Sequence, residues 1–344
     1  MTRLVWVLRL GIAGEFVGHG WVGTGRPAAW LPFFQVFGFS GEFANAIMPV
    51  IGAWDIGVGL LMLVLPMRWL LIWTAVWGLF TAFLRPLAGQ GWWEFLERAG
   101  NYGVPLALLL LADVHAYTRS VWSWLQPMTL RPGVSAAQAH RLAWVLRLSV
   151  ATLLIGHGGI GAFMQPHAWM GYLAVLGIHA TTVANGSLIA TVGWAEIALG
   201  AVVLMRPFRG LLLFVVAWKV LTELLRPLAG EEIGQFIERS GSYAAPLTFA
   251  LLVTSLRRAT SGESGSDSCK WTSRRGDGAV RTRWVEIVMT EGTTRLLSSN
   301  LLLGPVRGTR AATHPSIRSV PRAPSRLLVL AAALLVLRSH FGAL

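Results

Sequence analysis

Apolar residues run along this chain in long stretches, separated by short polar or Pro/Gly-rich pieces. A bilayer core of about 30 Å takes roughly 20 helical residues to cross. Eight stretches approach or reach that length, at about residues 4–23, 45–65, 68–84, 101–119, 142–163, 183–205, 209–225 and 242–258. No ten-residue pattern of alternating polarity is present, so these stretches predict helices rather than barrel strands. Residues 26–44 and 165–182 are too polar, or too broken by Pro and Gly, to span. Residues 91–98 and 231–239 predict short interfacial helices, each leading into the last stretch of its half.

The second half of the pattern repeats the first. Trp6-Val7-Leu8-Arg9-Leu10 recurs as Trp144–Leu148, and Gly18-His19-Gly20 recurs as Gly156-His157-Gly158. Asp55 meets Glu196, Gly59 meets Gly200 and Trp77 meets Trp218, and the LRPLAG run at 84–89 returns unchanged at 225–230. The pattern F-x-E-R-x-G-x-Y-x-x-P-L occupies 95–106 and 236–247. An internal repeat decides the architecture before anything else does. The expected fold is an all-α integral membrane protein of two tandem four-helix bundles, about eight spans, side by side in parallel orientation. The expected divisions are a first membrane repeat over 1–130, a second over 131–258, and a basic tail over 259–344.

Charge orients the chain. Eight spans put both termini on one side, and that side collects Arg3, Arg68, Arg119, Arg131, Arg141, Arg206, Arg209, Arg257 and Arg258. The other side holds Arg26, Arg85, Arg98, Arg226 and Arg239, mostly beside acids. An excess of Lys/Arg marks the cytoplasmic side, so both termini are expected there. Arg9, Glu15 and His19 interrupt the first stretch and no small-residue cleavage pattern follows, so it reads as a retained span.

Composition agrees. Of 344 residues 54% are hydrophobic and 13% charged, with 17 Trp, against about 25% charged in soluble domains. The net charge of +13 is concentrated at the end, where residues 257–344 carry 14 Lys/Arg and 5 Asp/Glu. That tail, rich in Ser, Gly and Thr, reads as a disordered extension touching anionic lipid or as a frameshifted or read-through end. No zinc-finger spacing or aromatic-interleaved basic patch accompanies the charge, so no nucleic acid is expected. The single cysteine, Cys269, excludes an intrachain disulfide and a Cys-ligated iron–sulfur cluster.

Ionisable groups inside a span are costly, about 2.5–3.5 kcal/mol each at a helix centre on insertion scales, and each needs a partner. Arg9 with Asp55, and Arg147 with Glu196, are expected intramembrane ion pairs; the acid changes type between halves while the charge stays. Such pairs fix helix register even when they do nothing else. A second set gathers towards the outer face: His19, Arg85, Glu97, Arg98 and Tyr102 in the first half, and His157, Arg226, Glu238, Arg239 and Tyr243 in the second. Each set is expected to form one polar pocket within its own bundle, although an interfacial His can be no more than hydrogen-bonded. Some charges are specific to one half: Glu15 faces Leu153, Glu94 faces Gln235, and Lys219 and Glu223 stand where the first half has Gly78 and Ala82. The two pockets therefore need not be equivalent. No HExxH, Walker A or GxSxG signature occurs, so no catalytic residue is assigned. Neither a haem between His19 and His157 nor a metal held by His and Glu has ligand spacing in its favour, and no metal is expected.

The four-span unit, with R-x(9)-H-G at Arg9–Gly20 and an acid at Asp55, then at Arg147–Gly158 with Glu196, resembles the DoxX-like family of small bacterial membrane proteins. The resemblance covers about residues 1–256, as a fused pair of a unit usually found singly. It implies an accessory or quinone-facing subunit of a redox system in the bacterial inner membrane, with quinone as the cofactor class and redox subunits or a second copy as partners beside the lipid bilayer. Two other classes fit the same residues: a small-solute or proton transporter using paired intramembrane charges, and a structural, partner-binding membrane protein.

Overall fold

A computed structural model describes residues 2–112, 121–128, 135–164, 168–179 and 182–263. Arg119, Arg131 and the tail beyond residue 263 lie outside the described residues. Among the described residues there are helices and no strands. They are α1 (Thr2–Thr24), α2 (Leu31–Gln35), α3 (Gly41–Val64), α4 (Arg68–Leu87), α5 (Trp92–Glu97), α6 (Ala99–Leu111), α7 (Ala136–Gly159), α8 (Ala168–Val175), α9 (Thr182–Met205), α10 (Arg209–Leu228), α11 (Ile233–Ile237) and α12 (Ser240–Glu263). Seven of the eight expected stretches coincide with a long helix; the fourth is helical as α6 up to Leu111. α3, α4, α7 with its extension to Met164, and Gly186–Met205 of α9 are long and apolar enough to cross a membrane.

Local signals set the ends. Ser40 caps α3 by accepting the Phe43 amide, and Ser135 with Gln138 forms a reciprocal capping box on α7, satisfying amides that a helix start leaves unpaired. The LRPLAG runs stop α4 and α10: Gly89 and Gly230 adopt φ of +81° and +94°, the left-handed conformation that glycine supplies without strain. Beyond these turns the chain re-enters as the short helices α5 and α11 and then turns into α6 and α12.

α1, α6, α7 and α12 form the centre, with α1 on α12, α6 on α7, and α6 and α12 on each other. α3 lies on α1, α4 on α6, α9 on α7 and α10 on α12. A single core runs through both halves, with Leu8, Ile12 and Leu108 packed in the same cluster as Leu142, Leu146 and Phe249. The halves therefore do not form two separate cores meeting near residue 130. The outward faces carry exposed Val50, Trp54, Leu60, Val76, Leu79 and Phe83, and likewise Trp194, Val202, Leu213 and Phe214. Apolar surface on this scale marks contact with lipid or another protein.

Glycine sets the helix registers. A Cβ at Gly20 would strike the Gly52 carbonyl, and one at Gly59 would lie 2.9 Å from the Ala13 carbonyl. Gly158 meets Gly193 and Gly200 meets Ala151 in the same way in the second half. At the centre, a Cβ on Gly100 would come within 2.8 Å of the Gly241 backbone. Such close backbone approach is how helices associate where no water drives them together. Gly20→Leu is expected to destabilise the protein by about 1–3 kcal/mol through overpacking, read as a lower thermal midpoint by circular dichroism in detergent. Gly57→Ala, on the open face of α3 with nothing within 4 Å, is expected to leave the midpoint unchanged or raise it.

Candidate functional site

The α1–α3 register decides which groups meet Asp55. With Gly20 against Gly52 and Gly59 against Ala13, Arg9 lies level with the end of α3. There its Nε donates to the Met62 carbonyl at 3.2 Å and its Nη2 to that of Leu63. Asp55 is a further eight residues along, roughly 12 Å at 1.5 Å per residue, and a helical side chain leans towards its own N-terminus. The expected Arg9–Asp55 pair is thus not formed; Arg9 points away and stacks over Trp6 at 4.3 Å. Arg147 likewise stacks over Trp144 at 4.8 Å and does not reach Glu196.

The acids belong to the histidines. His19 Nδ1 lies 2.8 Å from Asp55 Oδ2, and the indole of Trp77 donates to the same oxygen at 3.4 Å. His157 Nδ1 lies 2.5 Å from Glu196 Oε2, and Trp218 donates to Glu196 Oε1 at 2.5 Å. A ring stacks on each imidazole, Trp30 at 4.5 Å and Trp169 at 4.8 Å. An acid on Nδ1 fixes the ring and its tautomer, leaving Nε2 to face a ligand or another group. The recurring His, acid and Trp77/Trp218 were visible in the sequence. Trp30 and Trp169 were not, because they fall where the repeat offset shifts.

The last elements of each half cross over. Gly18 of α1 lies against the Glu238 backbone, and Gly156 of α7 against that of Glu97. Glu97 therefore serves the His157 side and Glu238 the His19 side, opposite to the expected grouping within each half. The cause is topological: α1 packs on α11 and α12, and α7 packs on α5 and α6. Arg98 Nη1 contacts Glu97 at 2.5 Å and Glu94 at 2.9 Å. Arg239 Nε lies 2.7 Å from Glu223 and 3.6 Å from Glu97. Lys219 meets Glu223 at 2.8 Å, and Arg226 meets Glu223 at 2.7 Å and Glu231 at 3.2 Å. These pairs form one buried network joining both halves. Tyr102 and Tyr243 stand apart from it, brace the short helices by packing on Phe95 and Phe236, and Tyr243 donates to the Phe236 carbonyl at 3.1 Å.

Glu97, His157 and Glu223 bring one ligand atom each within 4.8 Å of one another, a cluster drawn from three elements and so invisible as spacing. Arg98, Arg239, Lys219 and Arg226 already neutralise its acids, and a metal ion would have to displace Lys219.

The His19 side opens into a cavity of about 340 Å³. Its polar end is His19, Arg85, Arg98, Asn101 and Glu238; its walls are largely aromatic, with Trp30, Phe33, Phe34, Phe37, Trp77 and Phe80. Arg85 sits over the Phe33 ring at 5.2 Å and donates to Gln90 at 3.0 Å, while its buried Nε has no hydrogen-bond partner among the described residues. Burying a donor unsatisfied is costly, so an acceptor oxygen is the group this end would hold best.

Burial alone would push the Glu97 carboxyl up, but the Arg239 and Arg98 guanidiniums outweigh it and hold the group well below the usual carboxylate range. Its stabilisation is complete above the ordinary carboxylate pKa and is lost as pH falls towards the depressed folded value. Glu97→Gln is expected to cost about 3–5 kcal/mol by leaving buried guanidiniums uncompensated and to flatten the acid limb of a stability–pH profile in detergent. Glu42→Gln, on an exposed side chain, is expected to change neither.

Comparison with known proteins finds no matching family model, no matching curated protein and no matching solved structure, so the reading of this site rests on its own geometry.

Proposed function

We propose that this chain is a multi-pass inner-membrane protein of the DoxX-like kind, built from two four-span copies in parallel orientation with both termini cytoplasmic, and that it binds a quinone as an accessory subunit of a membrane redox system. The carrying observation is the aromatic cavity that ends on His19, Arg85 and Arg98. A quinone is a flat ring with carbonyl acceptors. Stacking rings suit its body, and aromatic pairs contribute about 0.5–1.5 kcal/mol beyond area burial. The unpartnered Arg85 Nε and the free edge of the His19 imidazole, held by Asp55, suit its oxygens. Exposed Phe37, Phe39 and Phe80 at the cavity edge suit an apolar molecule arriving from lipid. Support for eight spans comes from the sequence repeat, the four apolar helices, and the apolar outer faces of the remaining long helices. α1 and α10 fall short on composition because they carry the buried charged groups Glu15, Lys219 and Glu223.

The transporter and structural readings draw on the buried charges alone. Most of those charges are closed on one another or on backbone carbonyls, with Glu15 Oε2 and Arg85 Nε as exceptions, which favours a fixed network over a path. The test is titration of the detergent-purified protein with 2-methyl-1,4-naphthoquinone by equilibrium dialysis, together with mass spectrometry of quinones that co-purify. Binding is expected, weakened at least tenfold, or about 1.4 kcal/mol, by His19→Ala and unchanged by His157→Ala. Absence of binding, or equal weakening by both substitutions, would contradict the proposal.

A further inference from the structure

The second half carries counterparts of the polar groups and of several rings of the first-half site, but a side-chain carboxylate occupies the space among them. His157, Trp169, Trp218, Arg226 and Arg239 stand as His19, Trp30, Trp77, Arg85 and Arg98 do, and Tyr172 lies under Arg226 at 5.6 Å as Phe33 lies under Arg85. The wall is less aromatic, with Leu173, Leu176 and Leu221 where the first half has Phe34, Phe37 and Phe80, and a pair of charges is added on one helix face. Where α4 has Gly78 and Ala82, α10 has Lys219 and Glu223, one turn apart and both buried.

Glu223 occupies the middle of that site. Its Oε2 is 2.7 Å from Arg226 Nε and 2.7 Å from Arg239 Nε, while its Oε1 is 2.8 Å from Lys219 Nζ and 3.8 Å from His157 Nε2. An internal oxygen acceptor thus sits among the arginine pair and the imidazole. In the first half the equivalent groups border empty space, and Arg85 Nε is left without an acceptor. One other pair of exchanges compensates in charge: Glu94 becomes Gln235 while Gln90 becomes Glu231, which takes over pairing with the arginine of the LRP turn. The Lys219–Glu223 pair is neutral as a unit, so the second half gains a filler without a change of net charge.

We propose that Lys219 and Glu223 form a built-in plug that closes the second ligand site, so that the chain binds one ligand, in the first half only, with the ligand's acceptor oxygen where the second half places the Glu223 carboxylate. The inference rests on the ligand-binding reading of the His19 cavity.

Removing the plug as a pair leaves net charge unchanged, whereas removing Glu223 alone strands the Lys219 ammonium. The test counts 2-methyl-1,4-naphthoquinone bound per chain at saturation by equilibrium dialysis, with helical circular dichroism and a monodisperse elution profile as the check of folding. The native chain is expected to bind one. Lys219→Ala with Glu223→Ala is expected to bind two, the second lost again on adding His157→Ala. Lys219→Met with Glu223→Gln, which keeps the bulk, is expected to stay at one. If the double-alanine chain does not fold, Ala82→Glu serves in its place: a carboxylate delivered to Arg85 from the same position is expected to abolish binding to the first half. A count of one in the folded double-alanine chain, or undiminished binding by Ala82→Glu, overturns the plug and leaves the quinone reading intact. A count of zero in the native chain overturns the quinone reading and the plug with it.

Discussion

The polar site of this molecule is organised by the ion-pair chain that crosses between the halves, from Glu94 and Arg98 through Glu97 and Arg239 to Glu223. An isolated charge in so apolar an interior would be expelled or neutralised. Shared among five groups, the charges hold α5 and α11 against the glycines of α7 and α1, where backbone meets backbone. That contact is why each histidine, bonded to an acid of its own half, also has a glutamate of the opposite half close by. It also explains why α1, α6, α7 and α12 make one core: a half taken alone would expose both a glycine-lined seam and an unbalanced guanidinium.

The helices were legible in the sequence because hydrophobic length is a local property. The stretches expected at 45–65 and 183–205 appear as Gly41–Val64 and Thr182–Met205, and the LRPLAG runs end their helices through glycines at positive φ. The membership of the site was also largely legible, since His19, Asp55, Arg85, Arg98 and Glu238 and their counterparts stand out as charges in apolar surroundings. Partnership was not. Arg9 looked like the partner of Asp55 because both are charged, but the glycine-set register places them about 12 Å apart along the axis and brings His19 to the acid instead. Likewise Glu97 was grouped with His19 because they share a half, while the crossing of α5 onto α7 is a long-range fact that no local pattern encodes. The aromatic walls were missed for another reason: Phe33, Phe34 and Phe37 sit in a piece too broken to span and carry no motif.

The two halves share a sequence pattern but differ at the site. Where the first half has Gly78, at which a Cβ would lie 2.9 Å from the Asn101 carbonyl oxygen, and Ala82, a cavity stands beside His19 and Arg85. Where Lys219 and Glu223 replace them, the second half carries a buried ion-pair cluster centred on Glu223. On the proposed reading, binding falls to the first half and the ion-pair network to the second.

The most direct test of this division is to find where a ligand sits. Photolabelling the purified protein with a diazirine-bearing naphthoquinone, followed by peptide mapping by mass spectrometry, reads the position without reference to affinity. The account predicts label on the aromatic segment of the first half, at Trp30 to Phe39, and none on its counterpart around Trp169 and Tyr172. Label divided evenly between the two segments, or confined to the second, would contradict it.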